Sequence, residues 1–138
     1  MQTCLQEEDH PLALRESLHA VLEGSTGTSM FRTLYRARDG VLDDVIGDGD
    51  LACAFFVSTI LSMFGLISNG VHTTVRMTLN DMEESEWLEV GEPEALAVVL
   101  WGEKQGDDGR PHFHIGICLD DTYAIEHSAV TKCPRQIR

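Results

Sequence analysis

Apolar and polar positions follow a helical period in the first half of the chain. Residues 11–23 carry an apolar stripe made of Leu12, Leu14, Leu18, Val21 and Leu22. Pro11 suits the first turn of such a helix, and Gly24 suits its end. A short helix is expected over residues 29–37, followed by an acidic, glycine-containing loop over residues 38–50.

A second helix is predicted over residues 51–67, and it is apolar on most of its faces. It spans about 17 residues and is interrupted by small or polar residues, which is more typical of a core helix than of a membrane span. Asp48 or Asp50 can cap its start, and Ser68-Asn69-Gly70 ends it. Residues 72–85 are expected to form a third, weaker helix.

The pattern then changes to the alternation of β-strands. Residues 95–101 are a short apolar run that leads into a polar loop over residues 102–110. Residues 112–119 alternate, with one side formed by Phe113, Ile115, Ile117 and Leu119 and the other by His112, His114, Gly116 and Cys118. Further strands are expected over residues 123–128 and 131–137. Helices followed by a small antiparallel sheet predict an α+β fold.

Length and charge narrow the possible functions. The chain has 138 residues, 43% of them apolar, which suits one domain over residues 1–138. Its formal net charge of −13 repels phosphate backbones and anionic lipids, so neither nucleic acid nor a membrane is expected as a partner.

The acidic first ten residues lack an apolar signal region. A cytoplasmic location is therefore expected, or export by a route without an N-terminal signal peptide. Oligomeric state is left open.

The cysteines Cys4, Cys53, Cys118 and Cys133 form no CxxC pair, and they are interpreted as reduced thiols. A metal site made of Cys53, His112 and His114 is possible, but no second close pair of ligands accompanies it. No metal and no cofactor are predicted.

Cys53 and His114 together suggest thiol chemistry. A cysteine in the first turn of a helix lies among unpaired N–H groups at the positive end of the dipole, which favours a thiolate and can hold an oxyanion. A strand histidine that points away from the apolar face can serve as its base, and a polar residue on the next strand can orient the imidazole. Considered without the other, Cys53 would be interpreted as a small core residue and His114 as a structural residue.

Several segments resemble NlpC-type papain-like cysteine peptidases. Residues 53–58 resemble the nucleophile helix of that family, residues 97–101 its central strand, and residues 124–128 its closing strand. His114-Ile115-Gly116-Ile117-Cys118-Leu119 is similar to the family's His-Val-Gly-Ile-Tyr-Leu strand. The cysteine segment departs from the family's usual Asp-Cys-Ser-Gly, and Tyr35 is only a distant match for its upstream tyrosine.

The third member of the site depends on the turn that follows residue 119. A two-residue turn at Asp120-Asp121 would place His127 directly opposite His114. A three-residue turn would place Glu126 on the face of His114, and the alternation pattern favours this arrangement. His127 is nevertheless the residue chosen, because the family uses His, Asn or Gln at this position.

The resemblance implies a papain-like domain with N-terminal helices packed on a small antiparallel sheet. It implies a cysteine-dependent amide hydrolase with the catalytic residues Cys53, His114 and His127. The implied substrate is a peptide or amide, in the family mostly the γ-D-glutamyl bond of a peptidoglycan stem peptide. The alternatives are a thiol acyltransferase or deamidase that acts on a substrate outside the cell wall, and a non-catalytic binding module that retains the fold.

Overall fold

Three helices and two antiparallel sheets make up the described part of the chain, which is an α+β arrangement. The computed structural model describes residues 12–49, 51–105 and 111–138, without the side chains of residues 103–105, 111 and 112. The elements in chain order are α1 (Leu14–Ser25), β1 (Tyr35–Arg38), β2 (Val41–Asp44), α2 (Cys53–Met63), α3 (Val75–Glu84), β3 (Val98–Gln105), β4 (Pro111–Cys118), β5 (Ala124–Ser128) and β6 (Cys133–Ile137).

The helix α2 lies at the centre of the core. Its sequence is apolar on nearly every side, and seven of its residues are buried: Ala54, Phe55, Phe56, Val57, Ser58, Ile60 and Leu61. It contacts β4 and β5, whose Ile115, Ile117 and Ile125 belong to the same buried cluster. Burying these side chains is the main apolar contribution to folding. The same packing holds the N-terminal end of α2 beside the sheet.

The four-stranded sheet has the order β3-β4-β5-β6, with each strand antiparallel to the next. A three-residue turn joins β4 to β5, and the Leu119 N–H donates to the Tyr123 carbonyl at 2.8 Å. The Asp120 carboxylate accepts from the Thr122 and Tyr123 N–H groups and so fixes this turn. Gly116 therefore lies opposite Glu126.

The expected helix over residues 29–37 is wrong, and so is part of the expected loop over residues 38–50, because Tyr35–Arg38 and Val41–Asp44 pair as the two strands of a hairpin. Asp39 and Gly40 make its turn with φ angles of 52° and 79°, the left-handed conformation that Asp-Gly favours in two-residue hairpin loops. Arg36 and Asp43 form an exposed ion pair across the hairpin. The Asp-Gly turn signal at residues 39 and 40 was present in the sequence and was not used.

The other elements agree with the expected ones, apart from their ends. α2 ends at Met63 rather than at residue 67, because Gly65 takes a left-handed φ of 67° and the Leu66 N–H bonds back to the Leu61 carbonyl. Ala52 occupies the N-cap position of α2, and Asp48 instead pairs with Arg32. Asp50, the other expected cap, lies outside the described residues.

None of the helices in the described ranges is long and apolar enough to cross a bilayer.

A buried cluster around Asp81 connects α2, α3 and the segment between them. The Asp81 carboxylate accepts hydrogen bonds from the Ser68 and Asn69 N–H groups and contacts His72 Nε2 at 2.6 Å. The Ser58 hydroxyl in turn accepts from the His72 N–H. Burial raises the pKa of Asp81, but its hydrogen bonds with His72 and the two N–H groups outweigh burial and lower the pKa below its ordinary value.

We expect Asp81→Asn to destabilise the protein at pH 7 and to lose this effect in acid. A carboxyl group with a lowered pKa stabilises the folded state above its ordinary pKa of 3.8, and this stabilisation is lost as the pH falls through the lower folded value. Urea unfolding at a series of pH values measures the difference. Glu83→Gln, an exposed change on the same helix, is the control, and equal losses in the two variants would contradict the expectation.

Candidate active site

Cys53 is the first residue of α2 and is partly exposed, with its thiol free. Ala52 before it has no side-chain oxygen to cap the helix, and its carbonyl accepts the Phe56 N–H at 2.8 Å. The first N–H groups of a helix have no partner within the helix, and they lie at the positive end of its dipole. The thiol of Cys53 therefore stands beside donors that can stabilise a negative charge.

His114 on β4 connects this thiol to the sheet. Its side chain is hydrogen-bonded to Cys53 and, through Nε2, to Glu126 Oε2 at 2.5 Å. The imidazole has two nitrogens on different sides of the ring. It can contact Cys53 and Glu126 at the same time only in one ring orientation. Cys53, His114 and Glu126 thus form a continuous line of polar contacts that runs from α2 to β5.

The protonation of His114 follows from these contacts. Burial disfavours the charged ring and lowers the pKa, but the hydrogen bonds to Cys53 and Glu126 and their negative charges raise the pKa of His114 from 6.5 to about 9. His114 is therefore an imidazolium at neutral pH. A cation in contact with a thiol favours the thiolate form.

Glu126 is a buried carboxylate with both oxygens occupied. Oε2 faces His114, while Oε1 accepts a hydrogen bond from Arg135 Nε at 2.8 Å. Burial raises the pKa of Glu126, but the contacts with His114 and Arg135 outweigh it and lower the pKa below its ordinary value. The carboxylate thus stays charged although its side chain is only 6% exposed.

The expected contact between His127 and His114 is wrong. The three-residue turn sets Gly116 opposite Glu126, so Glu126 lies diagonally across from His114 and on the same face of the sheet. His127 is the next residue along β5, and side chains alternate between faces along a strand. The alternation pattern of the sequence had favoured Glu126, and the preference for a family residue type had overruled it.

His127 lies in the apolar core instead. Its ring meets Phe31 and Phe56, with ring centroids 6.3 and 6.5 Å away, and it is 2% exposed. Neither ring nitrogen has a hydrogen-bond partner within the described part of the chain. Burial lowers the pKa of His127, because a charged ring there would lose its hydration.

Trp101 on β3 covers one side of the imidazole. It pairs with His114 across the two strands, and the ring centroids are 5.2 Å apart with planes tilted by 35°. An aromatic face within about 6 Å attracts a cation, so this contact also favours the imidazolium. Trp101 reaches this position over Gly116, which has no side chain in its way.

The structure does not bring Cys118, Cys133 or Tyr35 to this site. The side chain of His112 lies outside the described ones, as does Cys4. Cys118 is buried, and burial together with the charge of Asp120 raises the pKa of its thiol. Cys133 on β6 contacts the Thr131 hydroxyl, and Tyr35 is exposed on the hairpin. Within residues 12–49, 51–105 and 111–138, no group of three or more His, Cys, Asp or Glu residues is arranged to hold a metal ion.

Two participants, Arg135 and Trp101, could not be assigned from the sequence. Arg135 belongs to no sequence motif. Its position opposite Glu126 follows only from the register of β5 with β6. Trp101 ends the apolar run of residues 95–101, and a tryptophan in such a place is most often a core residue. An alignment of β3 with β4 in the correct register would have placed it opposite His114.

Comparisons with models of known protein families, with curated proteins and with solved structures find no match for this chain. The geometry around Cys53 and His114 is therefore the basis for a functional conclusion.

We expect His114 to titrate with a midpoint near pH 9, being charged below that pH and neutral above it. In Glu126→Gln the midpoint should fall, because the variant removes a negative charge that favours the imidazolium. Ring-proton NMR measures both values, and loss of the signal in His114→Gln assigns it. Glu83→Gln should leave the midpoint unchanged. A wild-type midpoint at or below 6.5 would contradict the described contacts.

We expect Gly116→Ala to disturb the wall formed by Trp101. A Cβ at this position would lie 2.7 Å from the Ile125 carbonyl oxygen and 3.0 Å from the indole ring. Because the carbonyl belongs to the sheet backbone, the indole must move or the strands must part, at a cost of about 1–3 kcal/mol. Thermal unfolding and iodide quenching of tryptophan fluorescence measure the two effects. Gly102→Ala is the matched control, since nothing lies within 4 Å of its Cβ position, and equal behaviour of the two variants would argue against a wall.

Proposed function

We propose that the protein is a cysteine-dependent amide hydrolase of papain-like architecture, in which Cys53 is the nucleophile and His114 is the acid and base. The observation that carries the proposal is the line of contacts from Cys53 through His114 to Glu126. The third residue of the proposed site is Glu126 and not His127. A nucleophile, a base in contact with it and a group that orients the base are the three parts of this chemistry.

In the first half of the proposed reaction, the Cys53 thiolate attacks the carbonyl carbon of an amide. The carbonyl oxygen becomes an oxyanion, which the N–H groups at the start of α2, including that of Cys53, can hold. The tetrahedral intermediate collapses as the carbon–nitrogen bond breaks, and the His114 imidazolium gives its proton to the leaving nitrogen. An amine leaves, and a thioester on Cys53 remains.

In the second half, water attacks the thioester. Neutral His114 takes a proton from this water, and the carbon–sulfur bond breaks to release a carboxylic acid and the Cys53 thiolate. Glu126 remains a carboxylate throughout, and it keeps the imidazole in the required orientation and stabilises its charged form. An amine that attacks in place of water would make the same site an acyltransferase.

The geometry supports a thiol mechanism more strongly than a core role for Cys53. A structural cysteine would be buried, as Cys118 is. Cys53 is instead partly exposed, and its hydrogen-bond partner carries a positive charge at neutral pH. Trp101 shields that partner on one side.

The substrate class is proposed from the resemblance of β4 and α2 to NlpC-type enzymes. It makes γ-D-glutamyl bonds in peptidoglycan stem peptides the first amides to test. The residues beside the thiol, Ala52 and Ala54, differ from those of that family, so other peptide amides and glutamine side chains belong in the same panel.

We expect Cys53 to react with iodoacetamide at pH 6 more than tenfold faster than Cys133, because Cys53 is in contact with the charged ring of His114 and a neighbouring cation activates a thiol. Mass spectrometry of the alkylated peptides measures both rates in one sample. His114→Ala should bring the rate at Cys53 close to that of a free cysteine. Equal rates at Cys53 and Cys133 in the wild-type protein would mean that Cys53 is not activated.

We expect hydrolysis of a purified stem-peptide amide to fall by at least about 10⁴-fold in Cys53→Ala, because no other group replaces the nucleophile. Glu126→Gln should retain intermediate activity. His127→Phe is the matched control, since it exchanges one ring for another among Phe31 and Phe56, and it should keep wild-type turnover if it folds. Loss of turnover in folded His127→Phe, with full activity in Glu126→Gln, would reverse the proposed assignment of the third residue.

A further inference from the structure

Arg135 is the last side chain in the line of contacts that begins at Cys53. It lies on β6 directly opposite Glu126 in the register of the two strands. Its Nε donates to Glu126 Oε1 at 2.8 Å, while Oε2 of the same carboxylate faces His114. The two oxygens thus have different partners on the two neighbouring strands.

This arrangement restrains the carboxylate in a way that His114 alone could not. A glutamate held at one oxygen can still rotate about its last bond, whereas one held at both oxygens by partners on opposite sides cannot rotate freely. Arginine keeps its charge at every accessible pH, so the restraint does not depend on the protonation of Arg135. Hydrogen bonds between two charged groups are also the stronger ones.

We propose that Arg135 is a positioning residue of the site, which keeps Glu126 ionised and directed at His114. The inference rests on the proposed function, because a positioning role requires the thiol chemistry that Glu126 would support. Arg135 acts through Glu126 and touches neither Cys53 nor His114 in any described contact. It would extend the proposed Cys53–His114–Glu126 triad to a line of four alternating charges.

The electrostatic surroundings of Glu126 give the sign of the effect. Burial favours the neutral acid, and the two cations that act against burial are His114 on β4 and Arg135 on β6. The neighbouring ring on β5, His127, has a lowered pKa and adds no charge at pH 7. Removing the cation of Arg135 therefore makes protonation of Glu126 easier, and a protonated Glu126 no longer favours the imidazolium.

The first experiment follows Glu126 directly in the full chain. Carbon-13 NMR of labelled glutamate carboxyl groups gives the titration of Glu126, assigned by its absence in Glu126→Gln. We expect Arg135→Gln to move this titration to higher pH and Arg135→Lys to return it towards the wild-type position, since lysine restores the charge. Arg36→Gln is the matched control, because it removes an arginine from another cross-strand ion pair, with Asp43.

The second experiment measures the alkylation of Cys53 by iodoacetamide between pH 4 and pH 8, relative to N-acetylcysteine. We expect Arg135→Gln to lose about tenfold more of its rate at pH 5 than at pH 7.5, compared with the wild-type protein. In the Glu126→Gln background, Arg135→Gln should have no further effect on the pH profile. A merely structural ion pair would lower stability when Arg135 is changed in the wild-type background and leave the pH profile in place.

The outcomes separate this inference from the proposed function. An unchanged Glu126 titration and an unchanged pH profile in folded Arg135→Gln would overturn the positioning role, and so would an equal shift in Arg36→Gln. If one of these negative results is obtained while wild-type Cys53 is activated and the protein hydrolyses amides, the proposed function stands without a role for Arg135. If Glu126 shifts as expected but wild-type Cys53 reacts no faster than N-acetylcysteine, the proposed function fails and Arg135 is only an electrostatic partner of Glu126.

Discussion

The register between β4 and β5 is the constraint on which the candidate site depends. The turn after Leu119 contains three residues, and the Asp120 carboxylate accepts hydrogen bonds from the N–H groups of Thr122 and Tyr123. A turn shorter by one residue would exchange the faces of every side chain on β5. Glu126 would then enter the core and His127 would leave it. One short turn thus decides both the polar line beside Cys53 and the apolar packing against α2.

The core and the site constrain each other through that register. Ile115, Ile117 and Ile125 must face the buried cluster, and their burial fixes the opposite face for His114 and Glu126. The directions of the His114 and Glu126 side chains therefore follow from the apolar packing on the other face of the sheet. Glu126 is buried within the sheet, and two cations compensate its charge.

The sequence predicted the elements better than it predicted the contacts between them. The apolar stripe of α1, the apolar run of α2 and the alternation in β4 are local periods, and each led to the correct type of element. The hairpin of β1 and β2 was missed because its strands are exposed on both sides and lack an alternating pattern. Cys53 and His114 could be paired in advance from their places on a helix start and a strand. The choice between Glu126 and His127 depended on the length of the turn, and the assignment of Arg135 to the site depended on the register of β5 with β6. Neither can be predicted from a local period of apolar residues.

The contact between Cys53 and His114 has a consequence for the timing of proton transfer in the proposed reaction. Part of what holds the proton on His114 is the negative charge of the neighbouring sulfur. That charge disappears when the sulfur bonds to the carbonyl carbon, so the imidazolium then releases its proton more readily to the leaving nitrogen. The ring that remains is neutral, and it can then accept a proton from the water that attacks the thioester. The bond that forms on Cys53 would itself switch the site from its first task to its second, without movement of the fold.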